Sequence, residues 1–191
     1  MVIALPAEAK PVRRHFDLQR EQESSPFPLY RNSEIALVLS GPGKESAGKA
    51  TTWLYQHLRP QTDALWLNLG IAGHSDRAVG EAVQANLIED RVSGDCWNTV
   101  LARKPALENE RVITLDTPDL DYSQAGVVDM EAAGFYRAAL EFTAAEQILC
   151  IKVISDNRQQ PASQINGKRV SGLIEQQTEL LDTIVGSYRT G

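Results

Sequence analysis

Three carboxylates in this chain stand where an α/β protein does chemistry. Glu131 lies in Val127 to Phe135 (Val-Val-Asp-Met-Glu-Ala-Ala-Gly-Phe), between two β-branched residues and a small, aromatic run suited to a buried helix. Glu8 follows the short apolar run Val2 to Leu5, and Asp156 follows the apolar run Ile148 to Ile154 through Ser155. Open α/β sheets bind ligands at the carboxyl ends of their strands. A carboxylate among apolar neighbours must find partners or be kept for a ligand, because burying an unpaired charge is costly. Each also has a plainer reading. Glu131 suits the first turn of a helix, where it complements the dipole. Glu8 suits a solvated or capping role, and Asp156 an Asx-turn. Local features leave both readings open for Glu131 and Asp156 and favour the plainer one for Glu8.

Two glycine turns accompany these groups. Ser40-Gly41-Pro42-Gly43-Lys44 leaves the apolar run Ile35 to Ser40 and enters a helix expected to reach about Leu58, packed through Ala47, Ala50, Trp53, Leu54 and Leu58. Gly43, Gly48 and Lys49 nearly complete a phosphate-binding G-x-x-x-x-G-K loop, but Ala50 stands where a magnesium-binding hydroxyl is needed. The favoured reading is a tight turn that uses glycine for close approach. The second turn, Asn68-Leu69-Gly70-Ile71-Ala72-Gly73-His74, ends the apolar run Ala64 to Leu69. Its glycines let a ligand approach the backbone. His74 reads as a surface or structural histidine.

The elements that must hold these residues follow from the hydrophobic pattern. Strands are expected at Val2 to Leu5, Pro28 to Arg31, Glu34 to Ser40, Ala64 to Leu69, Val79 to Ile88, Asp95 to Leu101, Arg111 to Leu115 and Ile148 to Ile154. Arg103 to Glu110 reads as a loop. Pro11 suits the first turn of a helix; further helices are expected from Met130 to about Phe142 and from Val170 to Tyr188. Alternation of strands and helices implies one α/β domain over 1–191, a three-layer α/β/α arrangement with a mixed central sheet.

Composition narrows the function. The 191 residues carry 42% apolar and 23% charged side chains, an ordinary globular balance. The net charge of −6 argues against nucleic acid as the main partner. No apolar stretch reaches the roughly 18–20 residues that span a bilayer. The start lacks a basic region and a long apolar run, so a cytoplasmic protein is expected. Cys96 and Cys150 form no CxxC pair and read as buried thiols in a reducing compartment. No metal or cofactor is expected.

Four segments together resemble the nucleoside phosphorylase and nucleosidase superfamily, above all its methylthioadenosine/S-adenosylhomocysteine nucleosidases and futalosine hydrolases. They are Ile3 to Glu8, Ser40 to Lys44, Asn68 to Gly73, and the pair Val128 to Gly134 with Val153 to Asp156. They occur in the family's order and span nearly the whole chain. The resemblance implies a phosphorylase/hydrolase-like fold and cleavage of the N-glycosidic bond of a purine or 5′-modified nucleoside. It makes Glu131 the partner of the ribose 2′- and 3′-hydroxyls and Met130 the packing surface under the sugar. It makes Asp156 the acid that protonates N7 of the base, oriented by Ser155, and Glu8 the group that activates water. Ser40, Ile71, Ala72 and Gly73 would line the pocket. It also implies a homodimer. Ile71 stands where these nucleosidases often have Ser, and the region Asp90 to Asp116 looks shortened.

The chemistry suits these residue types. A carboxylic acid can lend the departing base a proton, a carboxylate can strengthen its bonds to the ribose as positive charge develops, and another can hold water on the opposite face. The phosphorylases of this superfamily place an arginine in the first strand-to-helix turn. Here that turn holds Glu8, whose charge would repel phosphate, so water is the favoured nucleophile. A phosphate-dependent phosphorylase and a catalytically degenerate nucleoside-binding or protein-interaction domain are the alternatives.

Overall fold

The first strand, β1 (Val2–Ile3), is short because Pro6 opens helix α1 (Pro6–His15) almost at once. Proline is favoured there: its fixed φ suits the helix and its absent N–H is not missed. Pro11 therefore lies inside the helix, not in its first turn as the sequence suggests. An internal proline withdraws the N–H that its fourth predecessor would receive. Ser171 supplies the replacement, its hydroxyl donating to the Ala7 carbonyl at 2.6 Å.

The computed structural model describes residues 1–22, 25–60, 63–100 and 107–189. After β2 (Gln19–Arg20) come β3 (Leu29–Arg31), β4 (Ala36–Leu39), α2 (Lys44–Leu58), β5 (Trp66–Gly73), β6 (Ala82–Asp90), β7 (Cys96–Asn98) and β8 (Glu108–Thr114). Then follow β9 (Val127–Asp129), α3 (Ala132–Leu140), β10 (Ile148–Asp156), α4 (Gly167–Glu175) and α5 (Thr178–Arg189). The strands form one mixed sheet. β1 pairs in parallel with β4 and β5, and β5 with β10, whereas β6 runs antiparallel to β10. Because β6 pairs β8, β8 pairs β9, and β9 returns to β5, these five strands close on themselves.

Period-two burial assigns the two faces. Val2, Val38, Ile148 and Cys150 pack in one core with Ala47, Ala50 and Leu54 of α2 and Phe135 and Ala139 of α3. Their neighbours Ile3, Leu37, Leu39, Leu149 and Ile151 pack in the other, with Val12 of α1, Ile174 of α4 and Leu181 and Ile184 of α5. The three-layer arrangement expected from the sequence is the one observed.

Several local expectations are corrected. The single helix Val170 to Tyr188 is two helices, broken at Gln176 and Gln177, where the Gln177 amide donates to the Gly80 carbonyl at 3.0 Å. The apolar stripe continues across the break, so spacing could not show it. β8 starts at Glu108, within the segment read as a loop, and β7 covers only part of the strand expected from Asp95; residues 101–106 lie outside the described residues. Cys150 is buried as expected, but Cys96 is exposed on β7. No described helix is long and apolar enough to cross a membrane.

Candidate active site

A cavity of about 330 Å³ opens where β1, β5, β9 and β10 end. Glu8, Ile71, Ala72, Gly73, Met130, Glu131, Ser155 and Asp156 all line it. Ser40 does not: its hydroxyl donates to the Gly41 carbonyl at 2.8 Å, beside the cavity. Residues as distant in sequence as Glu8 and Asp156 thus meet, because each lies at, or within five residues of, the carboxyl end of its strand.

Glu8 reconciles both of its readings. It is the third residue of α1, and one carboxylate oxygen accepts the Leu5 N–H at 2.8 Å, the half of a capping box that a glutamate at this position supplies. The other oxygen accepts the Ile71 N–H at 2.8 Å, which ties the helix to the end of β5. The residue is 2% exposed. Burial raises its pKa to about 7, against the lowering effect of the two backbone N–H groups and Lys152. A base poised near neutrality is what proton abstraction at neutral pH requires.

Glu131 sits before the first turn of α3 and is half-buried. Its carboxylate accepts the Gly43 N–H at 2.7 Å, from the turn that opens α2. Burial and the Asp129 charge raise its pKa, opposed by Lys152 and backbone N–H groups. Gly43 has φ 94°, a left-handed conformation that glycine adopts without steric cost.

Asp156 accepts from hydroxyls. Tyr122 Oη donates to its Oδ2 at 2.9 Å, and Ser155 Oγ to its Oδ1 at 2.5 Å. The Asx-turn foreseen for Asp156 belongs to the next residue: Asn157 Oδ1 accepts the N–H groups of Gln159 and Gln160. The glycines of the Asn68 to Gly73 turn make room for the carboxylates themselves. A Cβ on Gly73 would lie 3.0 Å from Asp156 Oδ2, and one on Gly70 would lie 3.2 Å from Glu8 Oε1.

Sequence reading missed three residues. Lys152, fully buried on β10, pairs with Asp129 at 2.6 Å and donates to Asn68 Oδ1 at 2.7 Å. Burial alone would lower its pKa, but Asp129 and Glu131 outweigh burial and raise it. Asp129 does serve the helix start, accepting the N–H groups of Glu131 and Ala132, and it also takes the Thr114 hydroxyl and the Lys152 ammonium. Tyr122 came from a polar connection without a pattern. A lone lysine in a continuous apolar run was the only available signal for Lys152.

The phosphate-loop resemblance dissolves. Lys49 is exposed and lies 3.6 Å from Glu45 on the surface of α2. Gly48 faces the Gly134 backbone, and a Cβ on Gly134 would overlap the Lys44 carbonyl, so these glycines let α2 and α3 touch. Lys44 pairs with Asp90 at 2.7 Å and Asp116 at 3.0 Å. His74 is structural: its Nδ1 accepts the N–H groups of Asp76 and Arg77. Among the described residues no cluster of His, Cys, Asp or Glu could hold a metal ion.

No family model matches the sequence, and no curated protein does. The structure, however, superposes on solved nucleosidases over nearly its whole length. An MTA/SAH nucleosidase structure matches with TM-score 0.81 at 16% identity, covering 100% of this chain and 95% of that one. The 5′-methylthioadenosine/S-adenosylhomocysteine nucleosidase from Helicobacter pylori, solved with butyl-thio-DADMe-Immucillin-A, gives 0.76 at 17% identity, covering 97% and 96%. A futalosine hydrolase mutant from Helicobacter pylori strain 26695 gives 0.74 at 15% identity, again covering 97% and 96%. The chain therefore has the nucleosidase fold that the four sequence segments suggested.

Proposed function

We propose that this protein hydrolyses the N-glycosidic bond of a purine nucleoside or a 5′-modified nucleoside and releases the base. One observation carries the reading: Glu8, Glu131 and Asp156 converge on one cavity, of a size suited to a small ligand. In the reaction, the bond from C1′ to the base nitrogen breaks and its electron pair moves into the purine. Asp156 transfers a proton to N7, so the base leaves neutral. Glu131 accepts hydrogen bonds from the ribose 2′- and 3′-hydroxyls, which strengthen as the sugar becomes positive. Met130 packs under the ring. Glu8 takes a proton from the water that attacks C1′.

The lining supports water over phosphate as nucleophile. It contains five carboxylates and, among the described residues, no arginine or lysine. Arg13 lies over the Tyr30 ring and Arg14 pairs with Glu175, both away from the cavity. Purine release from a panel of 5′-modified nucleosides, with and without phosphate, tests the reading. Turnover without phosphate is expected; strict phosphate dependence would overturn hydrolysis, and no turnover on any member would leave the binding-domain reading. We further propose a cytoplasmic homodimer, since symmetric dimers are the commonest assembly; light scattering in solution tests the dimer.

A further inference from the structure

We propose that Tyr122 is a positioning residue for the acid: it holds Asp156 in place and stabilises the carboxylate left after the proton is given to the base. This rests on the hydrolase reading above and deepens it. The Tyr122 hydroxyl hydrogen has one acceptor open to it. The phenol oxygen accepts the Ala162 N–H at 2.9 Å, so that side is closed to its own hydrogen. Its other neighbour is Asp156 Oδ2, also at 2.9 Å. Tyr122 is therefore a fixed donor to Oδ2.

Ser155 is different, because its hydroxyl has two acceptors within reach: Asp156 Oδ1 and the Ala72 carbonyl, the latter at 3.2 Å. When Asp156 carries its proton, Ser155 can turn its hydrogen to Ala72, which leaves Oδ1 free to bear that proton. Tyr122 has no such alternative, so the line from Tyr122 to Oδ2 is closed to the acid proton, which is directed to Oδ1. In the transfer, the Oδ1–H bond breaks, the N7–H bond forms, and the carboxylate keeps the electron pair. A hydrogen bond to an ionised acceptor is roughly twice as strong as one to a neutral acceptor. The Tyr122 bond thus gains strength as the proton leaves, which favours the products of that step over its reactants.

The backbone around Tyr122 points the same way. Tyr122 has φ 51°, a left-handed conformation that bulky residues rarely take. Its carbonyl accepts from Arg158 at 2.9 Å, and the Asp119 carboxylate takes the N–H groups of Asp121 and Ser123 on either side. Such strain persists where surrounding structure over-determines it. The residue is 7% exposed, and its hydroxyl joins three segments: the loop before β9, the end of β10, and the turn at Ala162.

The test compares two leaving groups. Tyr122→Phe keeps the ring and removes only the donor. On a purine nucleoside its kcat is expected to fall about 10-fold with KM little changed. On 4-nitrophenyl β-D-riboside, whose nitrophenolate leaves without a proton, the fall is expected to stay below about 2-fold. Thermal melting of both proteins checks that the fold is kept. An equal loss on both substrates would show a merely structural role and overturn the proposal; so would an unchanged kcat on the purine nucleoside. A wild-type protein that cleaves no purine nucleoside would overturn the hydrolase reading itself, and this proposal with it.

Discussion

The two ends of the cavity keep their carboxylates by different means. At one end Glu8, Asp129 and Glu131 gather around a single buried ammonium, Lys152, with backbone N–H groups of Leu5, Ile71 and Gly43 as further donors. At the other, Asp156 pairs with no cation among the described residues and lies between the hydroxyls of Tyr122 and Ser155. The first end has three acids for one base, so burial wins and the pKa values of Glu8 and Glu131 rise. The second uses neutral donors that fix geometry and can re-aim a proton. Under the proposed hydrolysis, the end that would accept a proton from water is built by excess negative charge, and the end that would hand one over by oriented hydroxyls.

Substitutions can break this comparison, beginning with the chemistry itself. Asp156→Asn removes the acid while keeping the shape, and turnover is expected to fall about 1,000-fold. Glu131→Gln should cost a comparable factor; purine release by either variant at the wild-type rate would refute the site assignment.

Lys152→Met comes next. It leaves Asp129 buried without its partner, a loss of about 3–5 kcal/mol in stability. Adding Asp129→Asn should restore part of that loss. Urea unfolding of the single and double variants measures both; a single variant as stable as wild type would show that the ion pair does not hold this end together.

A smaller effect separates the ends by pH. The pKa of Glu8 is raised from 4.5 unfolded to about 7 folded, so the folded state binds the proton more tightly. Its contribution is fully present below about pH 4.5 and is lost as pH rises through about 7, on the order of 3 kcal/mol in all. Glu131 shifts in the same direction. Glu8→Gln should therefore flatten only part of the fall in stability across that window. Activity should run the other way, rising through about pH 7 as Glu8 ionises to act as base. A wild-type stability that climbs over this range would contradict the raised pKa.

Lys49→Ala should do least. Its ammonium is exposed beside Glu45, far from the role that the glycine-lysine spacing imitates, and such surface pairs contribute roughly 0–1 kcal/mol. A collapse of activity would reopen the phosphate-loop reading.

Much of this protein can be read along the chain. Alternating apolar runs mark the strands, glycines mark the turns, and Glu8, Glu131 and Asp156 each stand just past a run, because strand ends are where a sheet can present polar groups. The extent of α2 follows from its helical spacing. Tertiary structure decided the rest. Lys152 has partners 84 and 23 positions away, so its burial is tolerable only once β5 pairs with β10 and β9 with β5. Tyr122 looks like any loop tyrosine until the chain brings Asp156 and Ala162 to its hydroxyl. The break between α4 and α5, and the exposure of Cys96, depend on what packs against each segment. Sequence alone determined which groups could do the chemistry, because type and strand position are local. Only the fold decided how each is charged and aimed, because burial and partners come from residues distant in the chain.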